Sequence, residues 1–315
     1  VAGLLFQSDR RTFLDYAASS AVAAAAAAPS GARAAGTHRG LWLGTCCDED
    51  LDNVERVVYD AIDAGFREID TATHYGNEEA IGAAIRKATQ RGVIEQAVDV
   101  RVLTKVWFDD MTYEATKTRL LASQASLGPS LHCALIHFPG TIDAIQSPKE
   151  NARRRAETWR ALEDLKAEGI LQQIGVSNYV PRHARELLKS GAEPDIVQLE
   201  CHPYCANSDL ADLWRAAGVP RILGYSPFAS GRLPVLSDPA VRAVAVRHGK
   251  DTTAGQVVLA WLRQRGVEPV VKATTRLHLR EDLGALVLRL EAEEMAMLGA
   301  LDRGESVAFD SRLIA

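Results

Sequence analysis

Asp70, Tyr75, Lys105 and His137 are the side chains whose types and spacing combine into a chemistry. Asp70, Lys105 and His137 each close a short apolar run, and Tyr75 lies five residues beyond Asp70. Reducing a carbonyl needs a hydride donor on one face of the carbon and a proton donor at its oxygen. A tyrosine can give the proton, but its free pKa near ~10 makes the hydroxyl reluctant. A neighbouring ammonium stabilises the phenolate and brings that pKa towards the working range. The ammonium needs a carboxylate to hold it in a dry site. A histidine N–H aimed at the same oxygen stabilises the negative charge that develops there. Tyr75 is thus the candidate proton donor, with Lys105, Asp70 and His137 around it. Singly, each has an ordinary alternative: Asp70 a helix N-cap, Tyr75 a rim aromatic, Lys105 a solvated strand end, His137 a histidine satisfied by backbone. Together on adjacent strand ends they favour a site.

Such a set requires a scaffold that gathers strand ends on one rim. From residue 41 one pattern repeats: an apolar run with a polar end, a loop, then a stretch with apolar residues three and four apart. The runs are 41–45, 67–71, 100–105, 133–138, 173–178, 196–200, 221–226 and 269–273. Between the first two, Leu51, Val54, Val57, Val58, Ala61 and Ile62 trace one helix face, stopped by Gly65. Near-continuous apolar strands alternating with helices imply a parallel sheet covered on its outer face. The count of eight, and the lack of a G-x-G-x-x-G after any strand, favour a closed barrel over an open doubly wound sheet. The expectation is a single (β/α)8 TIM barrel over residues 41–315, with its chemistry at the C-terminal strand ends.

Composition narrows the alternatives. The chain has 315 residues, a net charge of −5 and no Lys/Arg-rich block, which argues against a nucleic-acid surface. No apolar stretch of about 20 residues, the length needed to span a bilayer, is present. The five cysteines (46, 47, 133, 201 and 205) include no C-x-x-C pair, and the Cys201–Cys205 loop supplies too few ligands for structural zinc, so no metal is expected. A metal-dependent hydrolase would need clustered histidines and acids that the eight histidines do not provide. Residues 1–40 read differently. Arg10-Arg11 precede an alanine-rich stretch and Ala32-Arg33-Ala34, an arrangement similar to a twin-arginine export signal to the periplasm or thylakoid lumen. Asp9 and Asp15 depart from that pattern, and a disordered alanine-rich extension is the alternative.

Several segments carry a family resemblance. The stretch from Gly65 through Asp70 and Tyr75 to Glu79 resembles the first signature of the aldo-keto reductase family. Leu103-Thr104-Lys105-Val106-Trp107 and Leu135-Ile136-His137-Phe138-Pro139 resemble its second and third catalytic segments. Trp159 to Glu163, Ile174 to Tyr179, Gln198 to Tyr204, Tyr225 to Phe228 and Ala254 to Trp261 resemble later blocks in matching order. The resemblance covers about residues 41–302 and implies NADP(H)-dependent reduction of aldehydes and ketones, with NAD(H) possible as a poorer coenzyme. It implies that Ser177, Asn178 and Gln198 hold the nicotinamide carboxamide and that Tyr225 stacks on the ring. Ser226, Phe228 and Ser230 would line the pyrophosphate loop, with Lys272, Thr274 and His278 around the 2′-phosphate. Trp107, Phe138, His137 and Cys46, with Phe108 and the tail after Asp302, would bound the substrate. Family habit implies a cytosolic monomer acting on a small carbonyl compound.

The departures are specific. The short hairpin before the first strand is not recognisable, and Cys46 stands where an aromatic residue often follows Gly44-Thr45. His132 replaces an aspartate, Ala273 a serine, His278 an arginine and Asp282 an asparagine near the adenine. The last three bear on coenzyme preference, with Arg276 or Arg280 as substitute cations. The rival from another class is an idle barrel kept as a binding or regulatory subunit, which loss of a member of the four would have favoured.

Overall fold

Eight parallel strands close into a barrel in sequence order, β1 pairing with both β2 and β8. The computed structural model describes residues 40–46, 50–140 and 147–315. The N-terminal segment 1–39, with its export-like pattern, lies outside the described residues. The strands are β1 (Trp42–Gly44), β2 (Glu68–Asp70), β3 (Arg101–Val106) and β4 (Leu131–Ile136). They continue with β5 (Gln173–Ser177), β6 (Ile196–Glu200), β7 (Arg221–Tyr225) and β8 (Glu268–Val271).

Strand boundaries differ from the apolar runs where polar side chains intervene. β4 begins at Leu131, because polar His132 interrupts a run that the ladder nevertheless continues. His137 falls one residue beyond β4: its N–H still donates to the Val106 carbonyl, but its own carbonyl accepts from the Asn178 side chain (2.9 Å). Lys105 is followed by one more strand residue, Val106, and Lys272 lies just after β8.

The outer layer is built from amphipathic helices. The first, α1 (Leu51–Ala64), buries Val54, Val57, Val58, Ala61 and Ile62 against the barrel. It ends at Gly65, whose φ of +121° is open to glycine at little cost. Next come α2 (Glu78–Gln90), α3 (Tyr113–Leu127), α4 (Pro148–Ala167), α5 (Pro181–Lys189) and α6 (Ser208–Ala216). Both α7 (Pro239–Arg247) and α8 (Ala254–Gln264) separate β7 from β8. The chain closes with α9 (Arg276–Gly284) and α10 (Ala292–Gly299). No described helix is long and apolar enough to cross a membrane.

Alternation along each strand divides the core in two. Trp42, Leu103, Cys133, Leu135, Ile196, Leu223 and Val270 fill the barrel, while neighbours such as Leu43, Ile69, Val102 and Ile136 face the helices. Each such side chain contributes about 1.5–3 kcal/mol by burial. Gly175 on β5 is required sterically, since a Cβ there would lie 1.8 Å from the Ile196 carbonyl oxygen. At the N-terminal end of the barrel, Arg221 joins Glu68 (2.8 Å) and Glu268 (2.6 Å), and Trp42 donates to Glu268 (2.8 Å). That network fills the floor, so the chemistry is left to the opposite rim.

Candidate active site

Strand pairing alone brings three of the four candidate residues onto one rim. Asp70 ends β2, Lys105 is next to last on β3, and His137 follows β4. Lys105 Nζ donates to Asp70 Oδ1 (2.7 Å) and to the Thr71 carbonyl (2.8 Å), with its side chain only 2% exposed. The other Asp70 oxygen accepts from Gln198 Nε2 (2.7 Å), reaching across from β6. Lys105 and Asp70 are therefore a buried, hydrogen-bonded ion pair, the form in which two charges tolerate a dry site.

Tyr75 ends a 3-10 turn, Thr73–Tyr75, rather than lying in an irregular loop. Thr73 ties that turn to the Lys105 carbonyl (3.0 Å), and Gly76, at φ +67°, reverses the chain so that Asn77 turns inward. Asn77 is fully buried, accepting from Thr71 Oγ1 (2.7 Å) and donating to the Thr45 carbonyl (2.9 Å). Glu78 accepts from Thr104 (2.7 Å) and Ser123 (3.0 Å). The phenol is thereby pinned to three strands, its ring 5.4 Å from Lys105 Nζ and 5.8 Å, edge-on, from the His137 ring. His137 Nδ1 is buried without a hydrogen-bond partner.

The electrostatics correct one expectation. Burial, and then the Asp70 carboxylate, push the Tyr75 phenol above its usual pKa instead of Lys105 drawing it down. Burial also lowers the Lys105 ammonium, with Asp70 opposing. Burial, then Lys105 and His74, hold His137 well below the ordinary imidazole range, so it is neutral at pH 7. The rim offers a fully protonated phenol and a neutral imidazole, as proton donation to a carbonyl requires.

The residues expected around the coenzyme lie on the same rim. Ser177 Oγ accepts from Asn178 Nδ2 (3.2 Å) and donates to Gln198 Oε1 (3.4 Å). Tyr225 donates to Asn178 Oδ1 (2.6 Å), a bond not foreseen between two residues expected to hold different faces of the nicotinamide. Asn178 (φ +63°), Ser226 (+52°), Ala229 (+50°) and Ser230 (+52°) are left-handed, a strain that surrounding structure must hold. Ser226 and Ser230 face each other at 3.0 Å, and Phe228 packs against the core. The paired Ser226 and Ser230 hydroxyls are donors of the kind a pyrophosphate accepts from. Lys272, Thr274 and His278 are all exposed around the N-terminus of α9, which favours an anion. Arg276 is not a spare cation: it is tied to Asp60 (2.6 Å) on α1.

Asp282 is 6% exposed with no partner for its carboxylate among the described residues, and burial, then Glu281, raise its pKa to about 8. An acid raised in the folded state holds its proton there after the unfolded chain has lost it, so stability falls as pH rises from about 4 to 8. Asp282→Asn is therefore expected to match the parent near pH 4 and exceed its Tm by roughly 2–6 °C at pH 9, read by thermal unfolding.

Trp107, Phe138 and His137, expected to bound the substrate, form one aromatic wall with Phe108. Trp107 meets His137 edge-on (4.9 Å), Phe108 tilted (4.5 Å) and Phe138 edge-on (5.7 Å). Cys46 follows β1 on the same rim and is disulfide-bonded. Two wall residues escaped the sequence reading. His74, beside Tyr75, stacks on Trp107 at 4.1 Å, and Phe309 from the tail meets Phe138 at 5.8 Å. The expectation of a tail contribution points towards Phe309, whereas no spacing announces His74.

The match to known proteins agrees with this geometry. Residues 48–303 match the model of the aldo/keto reductase family. The chain is 32% identical to glyoxal reductase of Bacillus subtilis, covering 84% of this chain and 89% of that protein. It is 32% identical to the 9,11-endoperoxide prostaglandin H2 reductase of Trypanosoma cruzi, over 86% and 90% respectively. A Bombyx mori aldo-keto reductase solved in complex with NADP superposes with a TM-score of 0.75 at 29% identity, over 86% of this chain and 92% of that one. The protein belongs to the aldo-keto reductase family, the (β/α)8 oxidoreductases that act on carbonyl compounds.

Proposed function

We propose that this protein is an NADP(H)-dependent reductase of aldehydes and ketones in which Tyr75 gives the proton. One observation carries the reading: the Tyr75 and His137 rings meet edge-on beside the buried Lys105–Asp70 pair. The substrate oxygen would accept from Tyr75 Oη and from His137. As the phenol loses its proton, Lys105 holds the phenolate and Asp70 keeps the ammonium in place. Trp107, Phe138 and Phe309 exclude water around the reacting carbon. Ser177, Asn178, Gln198, Tyr225 and the left-handed loop 226–230 would hold the coenzyme, which supplies the hydride when bound. The Tyr225–Asn178 bond would then be exchanged for contacts to the nicotinamide. Polar strand ends and the Ser226 and Ser230 hydroxyls fit such a group. NADPH consumption over aliphatic, aryl, sugar and keto-ester carbonyls tests the reading. Turnover of at least one class is expected, and a protein that binds NADPH but reduces none is an idle barrel.

Lys272 is proposed to read the 2′-phosphate, with Thr274 beside it. His278 stands where the family usually carries a permanently charged arginine. The preference for NADPH should accordingly be modest, with NADH tolerated. Lys272→Ala is expected to remove a charge-assisted contact of about 1.5–3 kcal/mol. That raises KM for NADPH about 10- to 150-fold and leaves KM for NADH unchanged. Equal use of both coenzymes, unaffected by the substitution, would remove Lys272 from the role.

A further inference from the structure

Glu200 has the features of a residue with a task. It ends β6, two positions beyond Gln198, and pairs in register with Tyr225 on β7. It is 5% exposed, and among the described residues no lysine or arginine forms a salt bridge with it. A buried carboxylate is costly unless its lone pairs are met by donors. The donors here come mostly from a segment more than a hundred residues away. The Ser306 hydroxyl donates to Oε2, Val307 N–H to Oε1 (2.8 Å) and Ala308 N–H to Oε2 (3.2 Å). His202 Nε2 completes the set at 3.1 Å. Burial alone would raise the carboxyl, but the bonds from His202, Ser306 and Val307 outweigh it and leave the group ionised more readily than usual.

The grip falls at a telling place, for the next residue is Phe309, which meets Phe138 edge-on at 5.8 Å in the substrate wall. The rest of the tail is fastened on both sides of that contact. Upstream, Glu305 N–H donates to the Tyr204 carbonyl (2.9 Å), and the Arg303 guanidinium lies 3.8 Å over the Tyr204 ring. Downstream, Arg182 donates to the Arg312 carbonyl (2.9 Å) and His183 meets the Ile314 carbonyl (3.0 Å). The chain end rests at a surface cleft of about 480 Å³ lined by Lys149, Arg155 and Arg182. Nearest to Phe309 the chain is held by the Glu200 clasp, with its three tail donors, and by Arg232, which donates to the Val307 carbonyl (2.9 Å).

We propose that Glu200 is a positioning residue for substrate selection, clamping residues 306–308 so that Phe309 is held against Phe138 as the outer wall of the pocket. The proposal rests on the carbonyl-reductase reading for its kinetic consequence, while the clasp itself is testable without catalysis. Glu200→Gln keeps size but replaces one acceptor oxygen by an NH2 group, which opposes a tail donor instead of accepting from it.

Hydrogen exchange in the coenzyme-free protein should show residues 305–310 losing protection about tenfold while strands β1–β8 keep theirs. With a phenyl-substituted ketone, whose ring would lie on Phe309, KM should rise about tenfold with kcat within about twofold. With propanal, too short to reach the wall, both constants should stay near the parent's. Phe309→Ala should reproduce the split, and adding Glu200→Gln to it should change KM little further, because both act through one ring. Ser306→Ala removes a single donor, should give a smaller effect in the same direction, and keeps the test open if Glu200→Gln fails to fold. Unchanged tail protection in either clasp variant would overturn the clamp. An equal rise in KM for both substrates, or additive effects in the double variant, would overturn its role in selection. A parent protein that reduces neither substrate would instead remove the functional reading and leave the exchange result standing.

Discussion

Tyr75→Phe is expected to lower kcat for carbonyl reduction by at least about 100-fold, the usual cost of losing a general acid. The substitution removes one oxygen and leaves a ring that still packs against His137 and above Lys105. The loop carrying it is held by Thr73, Asn77 and Glu78, none of which bonds the phenol, so the fold should be indifferent. Coenzyme affinity, read by fluorescence titration, should stay within about twofold, since no proposed coenzyme contact is touched. Retention of most activity would show that another group supplies the proton.

Lys105→Met should damage both rate and stability. Turnover should fall by a factor comparable to that of Tyr75→Phe, because the developing phenolate loses its cation. Stability should fall by about 3–5 kcal/mol, the cost of leaving one member of a buried pair uncompensated. Asp70 would keep its bond from Gln198, but its charge would face a methyl group in a dry site. At about 2–4 °C per kcal/mol for a domain of this size, the Tm drop is roughly 6–20 °C. The pH profile of the parent gives a further check. Burial depresses the Lys105 pKa, with Asp70 opposing, so the ammonium is lost at a lower pH than an ordinary lysine's. kcat should show an alkaline limb there that Lys105→Met lacks. A variant as stable as the parent would mean that the pair is hydrated rather than buried.

The barrel was legible because its strands are short apolar runs with polar ends, a pattern set by local burial alone. The meeting of Asp70, Lys105 and His137 follows from the same pattern, since consecutive strands pair in order. What escaped the sequence depends on contacts between distant segments. Arg276 reads as a free cation beside Lys272 until the fold brings Asp60 to it from 216 positions away. Glu200 reads as a polar strand end, and only the path of the tail reveals its donors. The direction of the Tyr75 shift was misjudged because the fold buries the phenol and also sets Asp70 near it. The Tyr225–Asn178 bond spans the barrel mouth, a distance that no spacing along the chain encodes.

The central claim is that hydride passes directly from the coenzyme to a carbonyl carbon while the chain supplies the proton at oxygen. NADPH carrying deuterium at the transferable C4 position, turned over with a reducible aldehyde in ordinary water, tests it most directly. The account predicts one deuterium on the carbinol carbon of each alcohol formed, one alcohol for each NADPH consumed, and a hydroxyl proton drawn from solvent. Alcohol without deuterium at that carbon, or NADPH consumed without alcohol, would contradict it.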